Sequence, residues 1–246
     1  MKAAFFGTPD FAVPTLNALN EISDVTLVVT REDKKKGRGK KLLPTPVKTR
    51  AEALGIEVFQ PRSCNTEEAL EKLRAQAADI FVVVAYGQIL SEDVLALPKK
   101  HIVNVHSSLL PKYRGAAPMQ WAILNGDEET GVSLMKVEAG LDSGPVYAMK
   151  KTPIGDKNFG VIHDELADFG ADLIREFVSD LEKGAVSFTE QEHDAATYAS
   201  KIDDALLTLS AEELTANEFV RKIRAFSPEP GAHFLFRDER LKVYDG

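Results

Sequence analysis

Short apolar runs alternate with helix-like segments through the first 106 residues of the chain. The apolar runs, each of which predicts a β-strand, lie at residues 2–7, 24–30, 56–60, 79–85 and 101–106. Segments with helical periodicity separate them, near residues 11–20, 45–54, 66–77 and 91–97. Strands that are apolar throughout are buried on both faces, which requires a parallel sheet with helices on either side. We therefore predict an α/β fold with a doubly wound, mostly parallel sheet.

Beyond residue 106 the pattern becomes more mixed. A loop with the sequence SSLLPKYRGAAP precedes the next predicted elements, which are a helix at 117–125, strands at 131–138 and 145–154, and a helix at 158–183. Ser210 and Glu213 match a capping box, which predicts a helix over 211–225. A hairpin with strands at 233–236 and 241–244 is predicted to end the chain. The predicted domains are a catalytic domain at 1–185, a linker at 186–209 and the start of a small second domain at 210–246.

Charge is unevenly distributed along this acidic chain, whose formal net charge is −8. Nine basic residues and two acidic ones lie between Arg31 and Arg50. A cationic segment on an acidic protein is a local anion-seeking feature, although a solvated charge run is the commoner reason for one. The single cysteine, Cys64, leaves no internal disulfide, and no segment has the length of a membrane span. We expect a soluble, cytoplasmic protein without a membrane partner.

Asn104 and His106 are the candidate catalytic residues at the end of the predicted strand 101–106. Their spacing of two residues directs both side chains to one face of the strand, and ligands gather at the carboxyl ends of strands in such sheets. An amide can donate to a developing oxyanion, while an imidazole exchanges protons near neutral pH. Asp142, in the loop GLDSGP, could complete the set as a carboxylate. From spacing alone, structural polar groups at a strand end and in a turn are the commoner explanation of the three residues.

Several longer motifs extend this pattern. The catalytic candidates lie in NVHSSLLPKYRGAAP (104–118) and GLDSGPV (140–146), and matching segments are FFGTPDFAVPTL (5–16), KKGRGKKLLPTPVK (35–48), VVVAYGQILS (82–91) and KIRAFSPEPG (222–231). In this order they resemble the formyltetrahydrofolate-dependent formyltransferases, and within that family the members that act on initiator methionyl-tRNA. The resemblance covers nearly the whole chain. It implies a Rossmann-like formyltransferase fold and the transfer of a formyl group to the amino group of methionine on the tRNA, which supports translation initiation.

The resemblance also implies roles for individual residues. Asn104 would stabilise the oxyanion, His106 would act as hydrogen-bond donor and proton carrier, and Asp142 would order His106 and accept a proton from the amine. The formyl donor would be 10-formyltetrahydrofolate, contacted by residues from two segments: Ser108, Leu109, Leu110, Pro111, Tyr86, Gln88, Ile89 and Leu90. The basic segment would bind the tRNA acceptor stem through Arg38, Lys40, Lys41, Lys35 and Lys36. No metal is implied, and the histidines at 163, 193 and 233 lack ligand spacing.

The end of the chain departs from the family pattern. Family members continue past Gly246 into a small, OB-like β-barrel domain that also contacts tRNA, so we expect most of that domain to be absent. Two other functions remain open at this point. One is a formyltransferase for a sugar nucleotide or glycinamide ribotide, which shares the Asn-x-His and Asp pattern but has no use for GRGKKL. The other is a truncated paralogue that binds folate or RNA without turnover. We expect a monomer.

Overall fold

The computed structural model describes residues 1–36, 41–210, 212–237 and 239–244. The chain divides into two compact units. Unit 1 comprises Met1–His106, Ser133–Ala148 and Ala167–Glu190, and unit 2 comprises Ser107–Val132, Met149–Leu166 and Gln191–Gly246. Each unit is described by itself.

The described residues form helices and strands at the following positions. The helices are α1 (Val13–Ile22), α2 (Pro46–Ala53), α3 (Glu67–Ala75), α4 (Glu92–Leu95), α5 (Pro118–Asn125), α6 (Phe159–Lys183), α7 (Asp204–Leu207) and α8 (Ala216–Ala225). The strands are β1 (Lys2–Gly7), β2 (Asp24–Val29), β3 (Lys34–Lys36), β4 (Lys41–Leu43), β5 (Val58–Phe59), β6 (Ile80–Val84), β7 (His101–His106), β8 (Arg114–Gly115), β9 (Glu129–Lys136), β10 (Val146–Pro153), β11 (Tyr198–Ala199), β12 (Ala232–Phe236) and β13 (Glu239–Val243).

The main sheet has seven strands in the order β10-β9-β7-β6-β1-β2-β5. Strands β5, β2, β1, β6 and β7 run parallel to one another, and β9 pairs with β7 in the antiparallel direction. Strands β1, β2, β6 and β7 lie where the sequence predicts them, and β5 is shorter than the predicted 56–60. The predicted mostly parallel, doubly wound sheet is thereby confirmed.

Burial on both faces explains why the parallel strands form the centre of unit 1. Every residue from Ala3 to Phe6 has an exposed fraction of 0%. Consecutive residues of a strand point to opposite faces, so a fully buried run needs packing layers on both sides. Phe6 contacts Phe81 of the neighbouring β6 at a ring-centroid distance of 5.1 Å. Removal of this apolar area from water is the main source of stability for the sheet.

Helix α6 approaches β7 closely at Gly170. A Cβ atom at this position would lie 2.8 Å from Cγ1 of Val105 and 3.1 Å from Oγ1 of Thr15. Contacts of this length are shorter than carbon atoms tolerate without displacement, so the absence of a side chain permits the observed packing. Val105 lies between Asn104 and His106. The close approach at Gly170 therefore helps to set the distance between α6 and the strand that carries both residues.

The basic segment contains a hairpin that the sequence pattern did not predict. Strands β3 and β4 pair in the antiparallel direction, with Lys34 opposite Leu43 and Lys36 opposite Lys41. The predicted element at this place was a loop between the second strand and its helix. Runs of lysine have low strand propensity, which explains why the pattern gave no strand signal.

Unit 2 contains helix α8, whose start differs from the prediction. The capping box forms at Thr215, whose Oγ1 accepts from the backbone N–H of Glu218, while the Glu218 carboxylate accepts from the N–H of Thr215. The prediction of a capping box at Ser210 and Glu213 is wrong. The physical reason is a second capping box five residues later, at Thr215 and Glu218, whose two reciprocal hydrogen bonds both form in the structure.

The linker predicted at 186–209 also contains regular structure. Helix α7 and strand β11 both lie within it, and β11 pairs in parallel with β8. The C-terminal hairpin of β12 and β13 forms as predicted, with Phe234 opposite Leu241.

The capping box gives a test with a matched control. Thr215→Ala should lower the free energy of unfolding by about 1 kcal/mol, the usual effect of losing an N-cap side chain. Ser210→Ala should change it by less than about 0.5 kcal/mol, as for surface substitutions away from such features. Denaturant unfolding, with amide hydrogen exchange over Ala216–Ala225, measures both variants. Equal effects of the two substitutions would contradict the assignment of the cap.

Candidate active site

Strand β7 carries Asn104 and His106 between two hydrogen-bonded neighbours. Asn104 pairs with Val83 of β6 on one side and with Met135 of β9 on the other. His106 lies opposite Ser133 of β9. Ladders on both edges fix the backbone, and the spacing of two residues directs both polar side chains to the same face.

The side chain of Asp142 lies beside His106, as the sequence suggested. Its Oδ2 atom is 3.7 Å from Nδ1 of His106, and the two side chains are 16% and 7% exposed. This separation is longer than a hydrogen bond but short enough for a strong electrostatic interaction when the imidazole carries a proton. Nδ1 is the ring nitrogen that faces the carboxylate.

The backbone of Asp142 adopts an uncommon conformation. Its φ angle is 46°, in the left-handed region that few residues other than glycine enter readily. Aspartate tolerates this region better than most residues, since its short side chain can form local hydrogen bonds. The loop between β9 and β10 turns at this residue and brings its carboxylate to β7.

The amide of Asn104 is available to a ligand. The residue is half-buried, and its side chain forms no hydrogen bond to any other residue that the structure describes. Buried and half-buried amides normally have partners, so an amide without one beside a histidine is suited to hold a polar atom of a substrate.

Ser133 is a site residue that the sequence reasoning missed. It is 0% exposed and lies directly opposite His106 in the ladder between β7 and β9. Paired residues on one face of an antiparallel ladder have Cβ atoms about 5 Å apart, which brings the serine hydroxyl close to the imidazole. The available signal was a single serine within the otherwise apolar run of residues 132–135.

The loop after β6 contains the predicted folate contacts Tyr86, Gln88, Ile89 and Leu90. Tyr86 is 1% exposed, and its hydroxyl lies 2.9 Å from Sγ of Cys64, so only its backbone can meet a ligand. Burial raises the pKa of both groups above their ordinary values. The Gln88 side chain is likewise engaged within the unit, donating to the carbonyl of Arg62.

Ile89 presents a large apolar side chain at the surface of the same loop. It is 88% exposed. Asn65 holds the loop at this point, because its amide donates to the carbonyl of Ile89 and its side-chain oxygen accepts from the N–H of Ser91. The loop is braced while its apolar residue remains open to a ligand.

A cavity of about 360 Å³ lies near the start of β7. Its walls include Leu95 and Ala96 from the end of α4, Ile102 from β7, and Val137 from the segment that leads to Asp142. Ile102 precedes Asn104 by two residues, so the two side chains are on the same face of β7. The cavity is therefore bordered by the strand that carries Asn104 and His106 and by the segment that leads to Asp142.

His101, Lys100 and Lys136 add polar groups to the cavity wall. Burial lowers the pKa of His101, and the two nearby lysines lower it further. A neutral His101 is consistent with its edge-on packing against Phe188, at a ring-centroid distance of 5.4 Å.

The segment Ser108–Pro111, also predicted to contact folate, begins unit 2. Ser108 is 0% exposed and donates its hydroxyl hydrogen to the carbonyl of Lys112 at 2.6 Å, which closes the turn. Leu109 is half-buried and Leu110 is buried. The segment is a compact turn with one apolar side chain left partly accessible.

The predicted tRNA contacts are only partly described. Arg38 and Lys40 lie outside the described residues, and the backbones of Lys35, Lys36 and Lys41 belong to the hairpin of β3 and β4. Asp33 anchors the base of this hairpin. Its carboxylate accepts from Nζ of Lys48 at 2.8 Å and from Nε2 of Gln60 at 2.7 Å, and these hydrogen bonds lower its pKa.

The described part of the chain lacks two further kinds of feature. It contains no group of three or more His, Cys, Asp or Glu side chains able to hold a metal ion. None of its helices has the length and apolar character needed to cross a membrane.

Comparison with known proteins identifies the family. A family model described as "Formyl transferase" matches residues 1–178, and one described as "Formyl transferase, C-terminal domain" matches residues 201–246. Among curated relatives, the methionyl-tRNA formyltransferase of Kosmotoga olearia is 45% identical, over 99% of this chain and 79% of the relative. That of Halorhodospira halophila is 46% identical, over 98% and 78%.

Solved structures share the fold at lower identity. A sugar 3N-formyl transferase, WlaRD, solved in the presence of dTDP and 5-N-formyl-THF, has a TM-score of 0.74 at 20% identity, covering 99% of this chain and 85% of that one. HypX from Aquifex aeolicus in complex with tetrahydrofolic acid has a TM-score of 0.71 at 16% identity, covering 100% and 37%. The family models, the curated relatives and the shared fold agree, and this chain belongs to the formyl transferase family.

Proposed function

We propose that this chain transfers the formyl group of 10-formyltetrahydrofolate to the amino group of methionine on initiator methionyl-tRNA. Identities of 44–46% to relatives named methionyl-tRNA formyltransferase support this substrate assignment. The observation that carries the chemistry is the 3.7 Å approach of Asp142 to His106, two residues from the Asn104 amide. These three groups suffice for acyl transfer without a covalent enzyme intermediate.

Asn104 acts on the formyl oxygen in the proposed mechanism. The neutral amine attacks the formyl carbon, a new C–N bond forms, and the carbonyl electron pair moves to oxygen. The side-chain N–H of Asn104 donates to that oxyanion. Because Asn104 has no partner among the described residues, it can meet the developing charge without first breaking another hydrogen bond.

His106 and Asp142 carry out the proton transfers of the proposed mechanism. The attacking nitrogen gains a positive charge and must lose a proton, while the folate nitrogen must gain one as its bond to the formyl carbon breaks. Nε2 of His106 delivers the proton to the folate nitrogen, and the Asp142 carboxylate stabilises the imidazolium form. Asp142 accepts the proton of the attacking amine, directly or through water. The buried Ser133 opposite His106 limits movement of the imidazole.

The cavity beside Ile102 suits the pterin ring of the formyl donor. Its volume of about 360 Å³ accommodates a two-ring heterocycle, and Leu95, Ile102 and Val137 offer apolar contact. Residues two apart in a strand are separated by about 7 Å, so a donor whose pterin ring contacts Ile102 extends its formyl-bearing side towards Asn104. Ile89 supplies further apolar surface for the donor. The turn Ser108–Pro111 begins two residues after His106 in the chain and is the second proposed folate-contacting segment.

The basic hairpin is the proposed contact to the tRNA acceptor stem. The cations that we assign to this contact are Arg38, Lys40, Lys41, Lys35 and Lys36. Lysine and arginine neutralise backbone phosphates, and a guanidinium also forms paired hydrogen bonds. The anchor of Asp33 to Lys48 and Gln60 gives this segment a fixed base.

The proposed cellular form is a cytoplasmic monomer. We further propose that residues 1–185 act as the catalytic domain, 186–209 as a linker and 210–246 as part of a domain that assists tRNA binding. The family match at residues 201–246 supports the last assignment.

The catalytic assignment gives the first functional test. Asn104→Ala and His106→Ala should each lower kcat by about two to three orders of magnitude, the scale of losing an oxyanion donor. Asp142→Asn should lower kcat as well, while Asp172→Asn, at a 51% exposed position on α6, should not. Single-turnover formylation of methionyl-tRNA measures all four variants. Near-normal rates for Asn104→Ala and His106→Ala would place the site elsewhere.

Salt dependence tests the tRNA assignment. The KM for methionyl-tRNA should rise steeply with salt, because phosphate contacts release counterions, while the KM for the formyl donor changes little. Arg38→Ala should raise the KM for tRNA and reduce the salt dependence, whereas Lys183→Ala, at a 68% exposed position on α6, should do neither. Salt-insensitive activity, with equal turnover of free amino sugars, would contradict a tRNA substrate.

The folate assignment is tested by filling the cavity. Ala96 is exposed and lines the cavity, so Ala96→Trp should occupy the pterin space without disturbing the core. We expect at least a tenfold increase in the KM for 10-formyltetrahydrofolate, about 1.4 kcal/mol of binding. Ala185→Trp, at an exposed position away from the cavity, is the matched control. An unchanged KM for 10-formyltetrahydrofolate in the Ala96 variant would contradict the binding of the pterin in this cavity.

A further inference from the structure

Arg114 is a buried cation in unit 2 that the proposed mechanism does not use. It is 5% exposed. Its Nε and Nη2 atoms donate to the side-chain oxygen of Gln191 at 3.1 and 2.7 Å, and Nη2 also lies 3.0 Å from Nδ1 of His193. Within the described residues, no carboxylate lies within ion-pair distance of this guanidinium. Among the described residues, the side-chain hydrogen-bond partners of this guanidinium are the neutral groups of Gln191 and His193.

This arrangement leaves two hydrogen-bond donors open. Burying a cation without a counter-charge is unfavourable, and an incoming anion would relieve that penalty. Nη1 of Arg114 has no partner among the described residues and is not a fully buried atom, so it remains accessible. Since Nδ1 of His193 accepts from Arg114, its ring hydrogen is on Nε2, and the histidine side chain is exposed.

The residue that pairs with Arg114 in the neighbouring strand is Tyr198, an exposed tyrosine. Strand β11 pairs with β8 so that Tyr198 is opposite Arg114 and Ala199 is opposite Gly115. A Cβ atom on Gly115 would lie 2.6 Å from the carbonyl oxygen of Ala199, so glycine permits this close pairing. The Tyr198 side chain is 67% exposed and makes no hydrogen bond or ring contact with the other described residues.

We propose that Arg114, His193 and Tyr198 form a subsite for one phosphate and one unpaired base of a single-stranded nucleic acid end. A guanidinium and an open aromatic ring on neighbouring residues are a combination that binds single strands, since the cation holds the phosphate and the ring stacks on the base. The inference rests on the proposed function, in which the ligand is the unpaired 3′ end of the charged tRNA.

Neighbouring acidic residues indicate the form of the ligand. Glu192 and Asp194 flank His193, and both are exposed. Their charges repel a free anion, so inorganic phosphate gains little from this subsite. A phosphate that belongs to a longer strand is held by other contacts as well, and the subsite then selects its position.

The aromatic ring is tested by a pair of substitutions. Tyr198→Ala should raise the KM for methionyl-tRNA by about tenfold, because stacking on one base is lost. Tyr198→Phe keeps the ring and should retain the wild-type KM. Neither should change the KM for 10-formyltetrahydrofolate. A normal KM for tRNA in Tyr198→Ala, or an altered KM for the formyl donor, would overturn the subsite.

The cation is tested through salt dependence. Arg114→Gln should reduce the slope of log KM for tRNA against log salt by about 0.7, the contribution of one phosphate of a single strand. A purely structural arginine would lower Tm and leave the slope unchanged, which would contradict the proposal. If Arg114→Gln does not fold, the comparison of Tyr198→Ala with Tyr198→Phe tests the subsite instead. Absence of methionyl-tRNA formylation by the wild-type chain would instead refute the proposed function itself.

Discussion

The backbone ladders on both edges of β7 are the constraint on which the site depends. A parallel neighbour, β6, and an antiparallel neighbour, β9, hold the strand at Asn104, and β9 also holds it at His106. An enzyme that works mainly by positioning needs this rigidity, because small displacements of the reacting groups lower the rate strongly. The mixed direction of the sheet also matters. The antiparallel β9 brings Ser133 opposite His106, and the segment after it returns as the loop that carries Asp142.

Rigid and open features occur side by side around this strand. The loop after β6 is braced by Asn65 and by the donation of Arg31 to the carbonyl of Gly87 at 2.6 Å, while Ile89 remains exposed. The side chain of Asn104 likewise has no hydrogen-bond partner among the described residues, although its backbone is well held. Such unsatisfied groups on a fixed frame are typical of preorganised binding sites, where the substrate supplies the missing contacts.

Sequence patterns predicted those features that arise from local chemistry. Continuous apolar runs predicted β1, β6 and β7, because a strand that is buried on both faces is apolar at successive positions. The spacing of Asn104 and His106 predicted that both side chains lie on the same face of the strand. Only the resemblance to a family favoured a catalytic role over a structural one. Ser133 was missed because its importance arises from pairing with a residue distant in the chain. The hairpin of β3 and β4 was missed for a similar reason, since lysine-rich strands carry no apolar pattern. Two capping-box motifs occur near α8, and the structure forms the second, at Thr215 and Glu218.

The close packing of Gly170 against Val105 has a consequence for how this fold can vary. The helix that contains Gly170 is separated from the catalytic strand by a long stretch of sequence, yet a single methyl group there would meet the residue between the two polar side chains at 2.8 Å. Mutational tolerance on this face of α6 is therefore set by the geometry of the active site, and not only by the stability of the helix. A side chain at this position, which carries no functional group, would thus displace the strand that holds both polar residues of the site.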